Sequence, residues 1–296
     1  MKIIIVGGTG LTGAHAALSL KDAGHDVTIV SRNAPSNPLL ADFAYMTGSY
    51  LDDSLPDSAL QGFDAMVFAA GADIRLLPRD EDEESFFMRV NAEGVPRFFE
   101  RAKGAGIPRA VHIGTYYPQV APEKIETSAY VRSRYLADEA VRALADDSFN
   151  VCSLNAPFIL GVLPGVSLPH LEGLVAYAAG RLEGMPLVAP AGGVNHISSH
   201  SMTEAIHGAL ARGEAGKPYL VGDENLTWKA YLELFFEAAG NPQDLPVSEE
   251  EHPLFPDIMM YAGRNATVSY EPDNAPLNYS RGRIKETVEE VVRAYL

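Results

Sequence analysis

Three glycines lie at equal spacing near the start of the chain, at positions 7, 10 and 13. They follow the apolar run Ile3 to Val6 and open an amphipathic segment. Such glycines permit a tight turn, let backbone approach a pyrophosphate, and let a helix pack closely on a sheet. The free N–H groups and the dipole of a helix N-terminus favour an anion. Residues Lys2 to Leu20 therefore predict the pyrophosphate site of a nicotinamide dinucleotide.

The second apolar run ends in Val30-Ser31-Arg32. At this place an NAD site usually carries an acidic residue for the ribose 2′-hydroxyl, whereas a nearby arginine favours the 2′-phosphate of NADP. No acid is present here, and a guanidinium can bind phosphate through two hydrogen bonds. The sequence therefore predicts that Ser31 and Arg32 bind NADP(H) in preference, with NAD(H) as the alternative cofactor.

Short apolar runs alternate with amphipathic segments in the first half of the chain. This alternation predicts a parallel sheet with helices on both faces and right-handed connections. The predicted strands are 2–6, 26–30, 65–70, 109–113, 151–155 and 217–221. The predicted helices are 11–23, 85–104, 128–145, 171–181, 199–212, 227–239 and 283–295, while the Pro-rich region 241–280 is predicted to be irregular.

The predicted fold class is α/β, a Rossmann-type doubly wound parallel sheet with a smaller C-terminal substrate lobe. The pattern changes at two stretches rich in glycine and proline, 161–169 and 184–193. The predicted dinucleotide-binding domain is 1–156, completed by 196–223. The smaller substrate-binding lobe is predicted to consist of 157–195 and 224–296.

The composition excludes several function classes. The chain has 296 residues, a formal net charge of −16 and 47% hydrophobic residues. An acidic protein repels nucleic acid and anionic membranes, so neither is an expected partner. The single cysteine, Cys152, allows no internal disulfide, and the eight histidines lack the paired spacing of a metal site. No stretch reaches the ~20 apolar residues of a membrane span, so we expect a cytoplasmic protein without a metal.

Further motifs carry a resemblance to a known family. They are Gly-x-x-Gly-x-x-Gly at 7–13, Asp64 to Gly71, Asn91 to Gly94, Val111 to Thr115, Tyr130 to Arg134 and Asn155 to Gly161. In this order they resemble the short-chain dehydrogenase/reductase superfamily, specifically its extended or atypical, epimerase/dehydratase-like branch. The resemblance covers nearly the whole chain. It implies transfer of a hydride between nicotinamide and a carbonyl or alcohol carbon.

The resemblance implies that Tyr130 is the general acid and base, a group whose free pKa of about 10 has to be lowered. Thr115 is the implied hydroxyl partner of the substrate oxygen, with Tyr116 as a substitute. Arg134 stands where the family has lysine. Because Tyr130 and Arg134 are four residues apart, one helix face carries both. A permanently charged arginine can lower the tyrosine pKa, although its planar guanidinium group would form different hydrogen bonds to the ribose than a lysine ammonium does.

The same resemblance implies cofactor contacts along the whole groove. Besides Tyr130 and Arg134, the implied contacts are Gly7, Thr9, Gly10, Leu11, Thr12, Gly13, Ser31, Arg32, Tyr50, Leu51, Ala69, Ala70, Gly71, Pro157 and Ile159. Ser49 stands where relatives place an aspartate against the adenine. The adenine is therefore expected to contact the backbone of Tyr50 and Leu51.

The segments expected near the nicotinamide are mostly apolar. The predicted substrate contacts are Tyr116, Tyr117, Phe158, Leu160 and His196. Such a lining favours an NADP-dependent oxidoreductase that acts on a small, fairly apolar carbonyl or alcohol. An anionic substrate is the alternative, because Arg75 and Arg79, after the fourth strand, are two cations that could hold it.

Two other functions stay open. The first is a nucleotide-sugar epimerase or dehydratase with tightly bound NAD(P). Relatives with this function usually have an arginine that binds the diphosphate of the substrate, and the corresponding stretch 191–196 has none. The replacement of lysine by Arg134 also leaves open a non-enzymatic NADP-binding sensor or scaffold. Relatives pair through the helices that correspond to 85–104 and 128–145, so the expected partners are a small-molecule substrate and a second copy in a homodimer.

Overall fold

Strands and helices alternate along most of the chain, and the computed structural model describes all residues from 1 to 296. The strands are β1 (Lys2–Val6), β2 (Asp26–Ser31), β3 (Ala44–Thr47), β4 (Ala65–Phe68), β5 (Arg109–Thr115), β6 (Asn150–Ala156), β7 (Phe158–Leu160), β8 (Ala189–Pro190), β9 (Gly193–Ser198), β10 (Pro218–Leu220), β11 (Glu224–Thr227), β12 (Val247–Ser248) and β13 (Thr267–Val268). The helices are α1 (Leu11–Asp22), α2 (Glu83–Phe87), α3 (Gly94–Gly104), α4 (Tyr117–Val120), α5 (Lys124–Thr127), α6 (Ala129–Ala143), α7 (Pro169–Ala178), α8 (Ser199–Arg212), α9 (Trp228–Ala238) and α10 (Ile284–Tyr295).

Seven of the strands form one sheet in the order β10-β6-β5-β4-β1-β2-β3. All neighbouring strands in this sheet are parallel. The chain runs outward from β1 through β2 to β3, and then crosses back to β4 on the other side of β1. At such a switch point the carboxyl ends of the strands leave a crevice that suits a ligand. The predicted fold class, α/β with a Rossmann-type doubly wound sheet, is confirmed.

The central strands are buried on both faces, as the continuous apolar runs of a parallel sheet require. Ile3 and Ile5 pack into a core with residues of α1 and α8. Ile4 and Val6 pack into the opposite core with residues of α3 and α6. A shift of one residue would exchange the two faces, so this packing fixes the register of β1.

The C-terminal third packs around an aromatic core of its own. Strands β7, β9, β11 and β13 form a second sheet, and α7, α9 and α10 contribute to the same core. The region 241–280, predicted to be irregular, contains two strands of two residues each and one short 3-10 turn. The division of the chain at 157, 196 and 224 stays a prediction.

The sequence did not indicate β3 or the short strands of the smaller lobe. Strand β3 is an edge strand that pairs only with β2, and its Tyr45 is 51% exposed, so it lacks a buried apolar face. The short strands are held by partners far away in the sequence. None of the helices is long and apolar enough to cross a membrane.

The close packing of α1 on β1 can be tested at Gly13. A methyl group there would collide with the carbonyl oxygen of Gly7, which belongs to the backbone and cannot move freely. We expect Gly13→Ala to lower the free energy of unfolding by about 1–3 kcal/mol, measured by urea denaturation. Gly104→Ala is the matched control, because nothing lies within 4 Å of a methyl group there. Equal stability of the two variants would contradict the packing argument.

Candidate active site

A cavity of about 560 Å³ opens at the carboxyl ends of β1, β4, β5 and β6. The smaller lobe closes its other side with residues of α7 and α9 and of the segment 254–266. Hydrophobic residues make up 23 of the 35 that line it, so the cavity suits an apolar ligand with few polar anchors. It occupies the crevice that the strand order predicts.

The glycine loop fits a pyrophosphate. Gly7 has a φ of +82°, and a Cβ there would press on the backbone of Ala69. At Gly10 a Cβ would meet only the Gly7 carbonyl oxygen, at 3.6 Å, so this position faces open space. No side chain caps α1, and its first N–H groups are therefore free to bind an anion. Gly10, Leu11 and Thr12 line the cavity.

The end of β2 lies beside the glycine loop. The N–H groups of Gly7 and Gly8 donate to the Val30 carbonyl at 2.9 and 3.2 Å. Ser31 donates its hydroxyl to the Asn33 carbonyl at 2.6 Å. The Arg32 side chain is exposed, which leaves its guanidinium accessible to an anionic group on the adjoining ribose.

The predicted cofactor contacts divide between the cavity and the groove beyond it. Those that line the cavity are Gly10, Leu11, Thr12, Ala69, Gly71, Tyr130, Arg134, Pro157 and Ile159. Those outside it are Gly7, Thr9, Gly13, Ser31, Arg32, Tyr50, Leu51 and Ala70. The cavity thus covers part of the predicted cofactor site, and the contacts with the cofactor, inside the cavity and outside it, all stay predictions.

Tyr50 and Leu51, predicted to contact the adenine, are engaged with the protein. Tyr50 packs edge-to-face on Phe68, with ring centroids 5.2 Å apart, and burial raises the pKa of its phenol to about 12. The N–H of Leu51 donates to Ser49 Oγ at 3.1 Å, and its carbonyl accepts from Arg97 at 2.7 Å. The N–H and carbonyl of Leu51 are therefore already used within the protein, and the contact of an adenine with these two residues stays a prediction.

Helix α6 carries Tyr130 in its first turn. The Ser128 hydroxyl caps this helix by accepting the Val131 N–H at 3.3 Å. Tyr130, Thr115 and Arg134 all line the cavity, so the structure brings the three predicted catalytic residues together. Tyr130 is only 8% exposed. Burial raises the pKa of Tyr130 above its usual value, while the charge of Arg134 and, more weakly, the Thr115 hydroxyl act to lower it.

Arg134 is almost completely buried beneath the strand ends. Its Nη2 donates to the Ile113 carbonyl at 2.7 Å, while its Nε has no hydrogen-bond partner. A Cβ at Gly71 would overlap Nη1 of Arg134, so the missing side chain at Gly71 makes room for the guanidinium. Two residues predicted to contact the cofactor are thus in direct contact with each other.

Tyr116 and Tyr117 follow β5 at the start of α4, and with Phe158 they line the cavity, while their contact with a substrate stays a prediction. The rings of the two tyrosines have centroids 4.3 Å apart. Burial raises the pKa of Tyr117 to about 12, and burial together with the neighbouring tyrosines raises the pKa of Tyr116 well above its usual value. Unlike Tyr116 and Tyr117, Tyr130 has a neighbouring guanidinium that acts to lower its pKa.

Contrary to prediction, His196 and Leu160 do not line the cavity. His196 is fully buried, donates from Nδ1 to the Val194 carbonyl at 3.1 Å, and stacks on Tyr231 with ring centroids 4.4 Å apart. The rings of Phe158 and Trp228 also cover it, and burial lowers its pKa to about 3. Leu160 turns into the core of the smaller lobe.

The loop after β4 brings an ion pair to the cavity. Arg75 donates from Nε to both carboxylate oxygens of Asp73, at 3.0 and 3.1 Å. Burial acts to raise the pKa of Asp73, but the hydrogen bonds and charge of Arg75 hold it below its usual value. Arg79, the other cation considered for an anionic substrate, is exposed and lies outside the cavity.

The sequence predicted that the smaller lobe binds substrate, but it did not indicate three residues of that lobe that line the cavity, His170, Trp228 and Tyr261. Burial, reinforced by the charge of Arg75, lowers the pKa of His170 to about 4, so its imidazole is neutral at pH 7. These three residues come from α7, α9 and the irregular segment after β12. No motif marks them, and only the Pro-rich composition of 241–280 set that segment apart.

The comparisons with known proteins point to one family. The model of the NAD dependent epimerase/dehydratase family matches residues 3–222. A sequence search of curated proteins finds no match.

Solved structures with the same fold span the whole chain. The protein gox2253 is 19% identical, with a TM-score of 0.80, over 99% of this chain and 97% of that one. A dTDP-glucose 4,6-dehydratase double mutant from Streptomyces venezuelae with NAD bound is 21% identical, with a TM-score of 0.75, over 100% and 97%. A UDP-glucose 4-epimerase from Bifidobacterium longum in complex with NAD+ and UDP is 13% identical, with a TM-score of 0.75, over 99% and 98%. At these identities the likeness is one of fold.

The electrostatic role of Arg134 can be measured directly. Arg134→Met should raise the pKa of Tyr130 by about one unit, because a neighbouring positive charge favours the phenolate. Fluorine NMR of protein labelled with fluorotyrosine follows the titration, and Tyr130→Phe assigns the resonance. Arg132→Met is the control, since it removes a charge from the same helix that pairs with Glu84 instead. An unchanged or lower Tyr130 pKa in Arg134→Met would rule out this role.

Proposed function

We propose a function from one premise: the chain belongs to the NAD dependent epimerase/dehydratase family. In this proposal the protein moves a hydride between a nicotinamide dinucleotide and a carbonyl or alcohol carbon of a compact, largely apolar substrate. The observation that carries it is the meeting of Tyr130, Thr115 and Arg134 in one cavity with a mostly hydrophobic lining. The protein is then an oxidoreductase of the short-chain dehydrogenase/reductase type.

The residues of the chain bind the two ligands and handle the proton. The free N–H groups at the start of α1 bind the pyrophosphate, and Arg134 lies where the adjoining ribose is expected. When bound, the nicotinamide gives or takes the hydride. Thr115 holds the substrate oxygen, and Tyr130 donates a proton to that oxygen during reduction or accepts one during oxidation.

Arg134 assists this proton transfer by stabilising the phenolate form of Tyr130. In a dry site the phenolate form of Tyr130 is disfavoured, so burial alone would leave the tyrosine a poor base. The buried guanidinium, one helical turn away, stabilises the phenolate and opposes the effect of burial. The arginine thus supplies the charge that lysine supplies in the family, although one of its donors is committed to Ile113.

The preference for NADP(H) is the finer part of the proposal. The family is named for NAD, and the Streptomyces dehydratase and the Bifidobacterium epimerase are both bound to it. In this chain, however, β2 ends at Ser31 and is followed by Arg32, with no acid at this place. A carboxylate would repel a 2′-phosphate, whereas a guanidinium binds it. We therefore assign NADP(H) as the preferred cofactor and NAD(H) as the second.

Arg32→Ala should weaken NADPH binding by at least about tenfold, because a hydrogen bond to a charged group contributes ~1.5–3 kcal/mol. Binding of NADH should change little, since it has no 2′-phosphate. Titration of nicotinamide fluorescence measures both dissociation constants. Arg79→Ala removes the same charge from an exposed loop and serves as the control. Tighter binding of NADH than of NADPH to the unmodified protein would refute the preference.

The comparisons favour a second candidate function, a nucleotide-sugar epimerase or dehydratase with tightly bound NAD(P). The family model and two of the similar structures are named for these reactions. Tyr130 would move the proton in this function too. A sugar diphosphate also needs cations to bind its phosphates. Two arginines line the cavity. Arg75 is paired with Asp73, and Arg134 donates to the Ile113 carbonyl, so both already have partners within the protein. The apolar lining therefore favours the first function.

A turnover screen separates these functions. Consumption of NADPH with apolar aldehydes or ketones is expected for the first, and conversion of UDP- or dTDP-sugars without net consumption of cofactor for the second. Tyr130→Phe should reduce the observed turnover by about 10²–10⁴-fold while NADPH binding persists. Tyr45→Phe, in the exposed edge strand, is the control. Cofactor binding without turnover on either panel would contradict both functions and support a non-enzymatic sensor or scaffold.

A further inference from the structure

Tyr261 lies flat over the ring of Tyr130. The ring centroids are 4.0 Å apart and the planes are inclined by 16°, which makes this a stacked pair. Phe87 of α2 meets the Tyr130 ring edge-to-face, with centroids 5.4 Å apart. The phenol is therefore held between a helix of the sheet domain and a segment of the smaller lobe.

Tyr261 is itself fixed from two directions. Its hydroxyl accepts the N–H of Ile74, in the loop after β4, at 3.2 Å. Its ring meets that of Tyr117 at a steep angle of 81°, with centroids 5.8 Å apart. The turn that carries it is closed by a bond from the Gly263 N–H to the Met260 carbonyl at 2.7 Å. These contacts fix the position of its ring over Tyr130.

The charged and titratable groups near Tyr130 come from each element packed against it. They are Arg134 of α6, Asp73 and Arg75 after β4, Thr115 of β5, Tyr116 and Tyr117 beside α4, and Tyr261. The two arginines act to lower the pKa of Tyr130 and Asp73 acts to raise it, but burial has the largest effect. The ring of Tyr261 contributes to that burial by covering one face of the Tyr130 ring.

We propose that Tyr261 is a positioning residue for Tyr130: it fixes the plane of the phenol and keeps water from one face, so that substrate meets only the hydroxyl edge. The inference rests on the proposed role of Tyr130 as acid and base. Without Tyr261, water would reach the ring and solvate the phenolate. The pKa of Tyr130 would then fall, because loss of burial removes the largest influence that raises it.

A role in packing alone makes a different prediction. If Tyr261 only joined the smaller lobe to the loop after β4, its loss would lower stability and leave the titration of Tyr130 unchanged. The pKa of Tyr130 therefore distinguishes positioning from packing. It can be measured on the full chain without any substrate, by the same fluorotyrosine titration.

We expect Tyr261→Ala to lower the Tyr130 pKa by about one unit. Tyr261→Phe keeps the stacked ring and loses only the bond to Ile74, so the pKa should stay at the wild-type value. Tyr261→Leu keeps apolar bulk and protects the fold, and should cause a smaller shift in the same direction. Tyr45→Ala, which removes a tyrosine that is 51% exposed on β3, should have no effect. Circular dichroism and the thermal midpoint identify the folded variants.

An unchanged Tyr130 pKa in folded Tyr261→Leu, or in folded Tyr261→Ala, would overturn the proposal. So would a shift in Tyr261→Phe as large as that in Tyr261→Ala, because the stacked ring is retained there. If Tyr261→Ala does not fold, the leucine variant decides. Absence of turnover in the unmodified protein would overturn the proposed function without affecting this titration, so the two failures can be told apart.

Discussion

The burial of one positive charge, on Arg134, organises the centre of the site. A charge removed from water is costly unless hydrogen bonds or opposite charges replace its hydration. The Arg134 guanidinium donates a hydrogen bond to the Ile113 carbonyl and lies against the backbone of Gly71. This charge acts on the Asp73 carboxylate and would also stabilise a phenolate at Tyr130. This arrangement holds only while the ends of β4 and β5 and the start of α6 keep their relative positions.

Local sequence patterns predicted what depends on neighbours along the chain. The first strand, glycine loop and helix are contiguous, and Tyr130 and Arg134 share a face because they are four residues apart. His196 shows the limit of such reasoning, because the rings that cover it come from β7 and α9. Tyr261 was beyond prediction for the same reason: its segment has no periodicity, and only tertiary contacts place it over Tyr130.

The sheet and the smaller lobe contribute different things to the cavity. The strand ends and α6 bring the groups that can hold an anion and move a proton. The smaller lobe brings broad, rigid apolar surface, with the rings of Trp228 and Phe255 tilted against each other at 4.8 Å between centroids and His170 held neutral nearby. Aromatic side chains bury much area with little loss of freedom. In the proposed function, the first half of the chain therefore supplies the groups for the chemistry, and the second half supplies most of the apolar surface that the substrate meets.

The contact between Gly71 and Arg134 also limits how this sequence can diverge. Any side chain at 71 would take the place of Nη1, so an arginine at 134 fits this conformation only in a chain that already has glycine at 71. The two positions are therefore coupled: a side chain at 71 would displace the guanidinium, and with it the hydrogen bond to the Ile113 carbonyl, unless residue 134 changed as well.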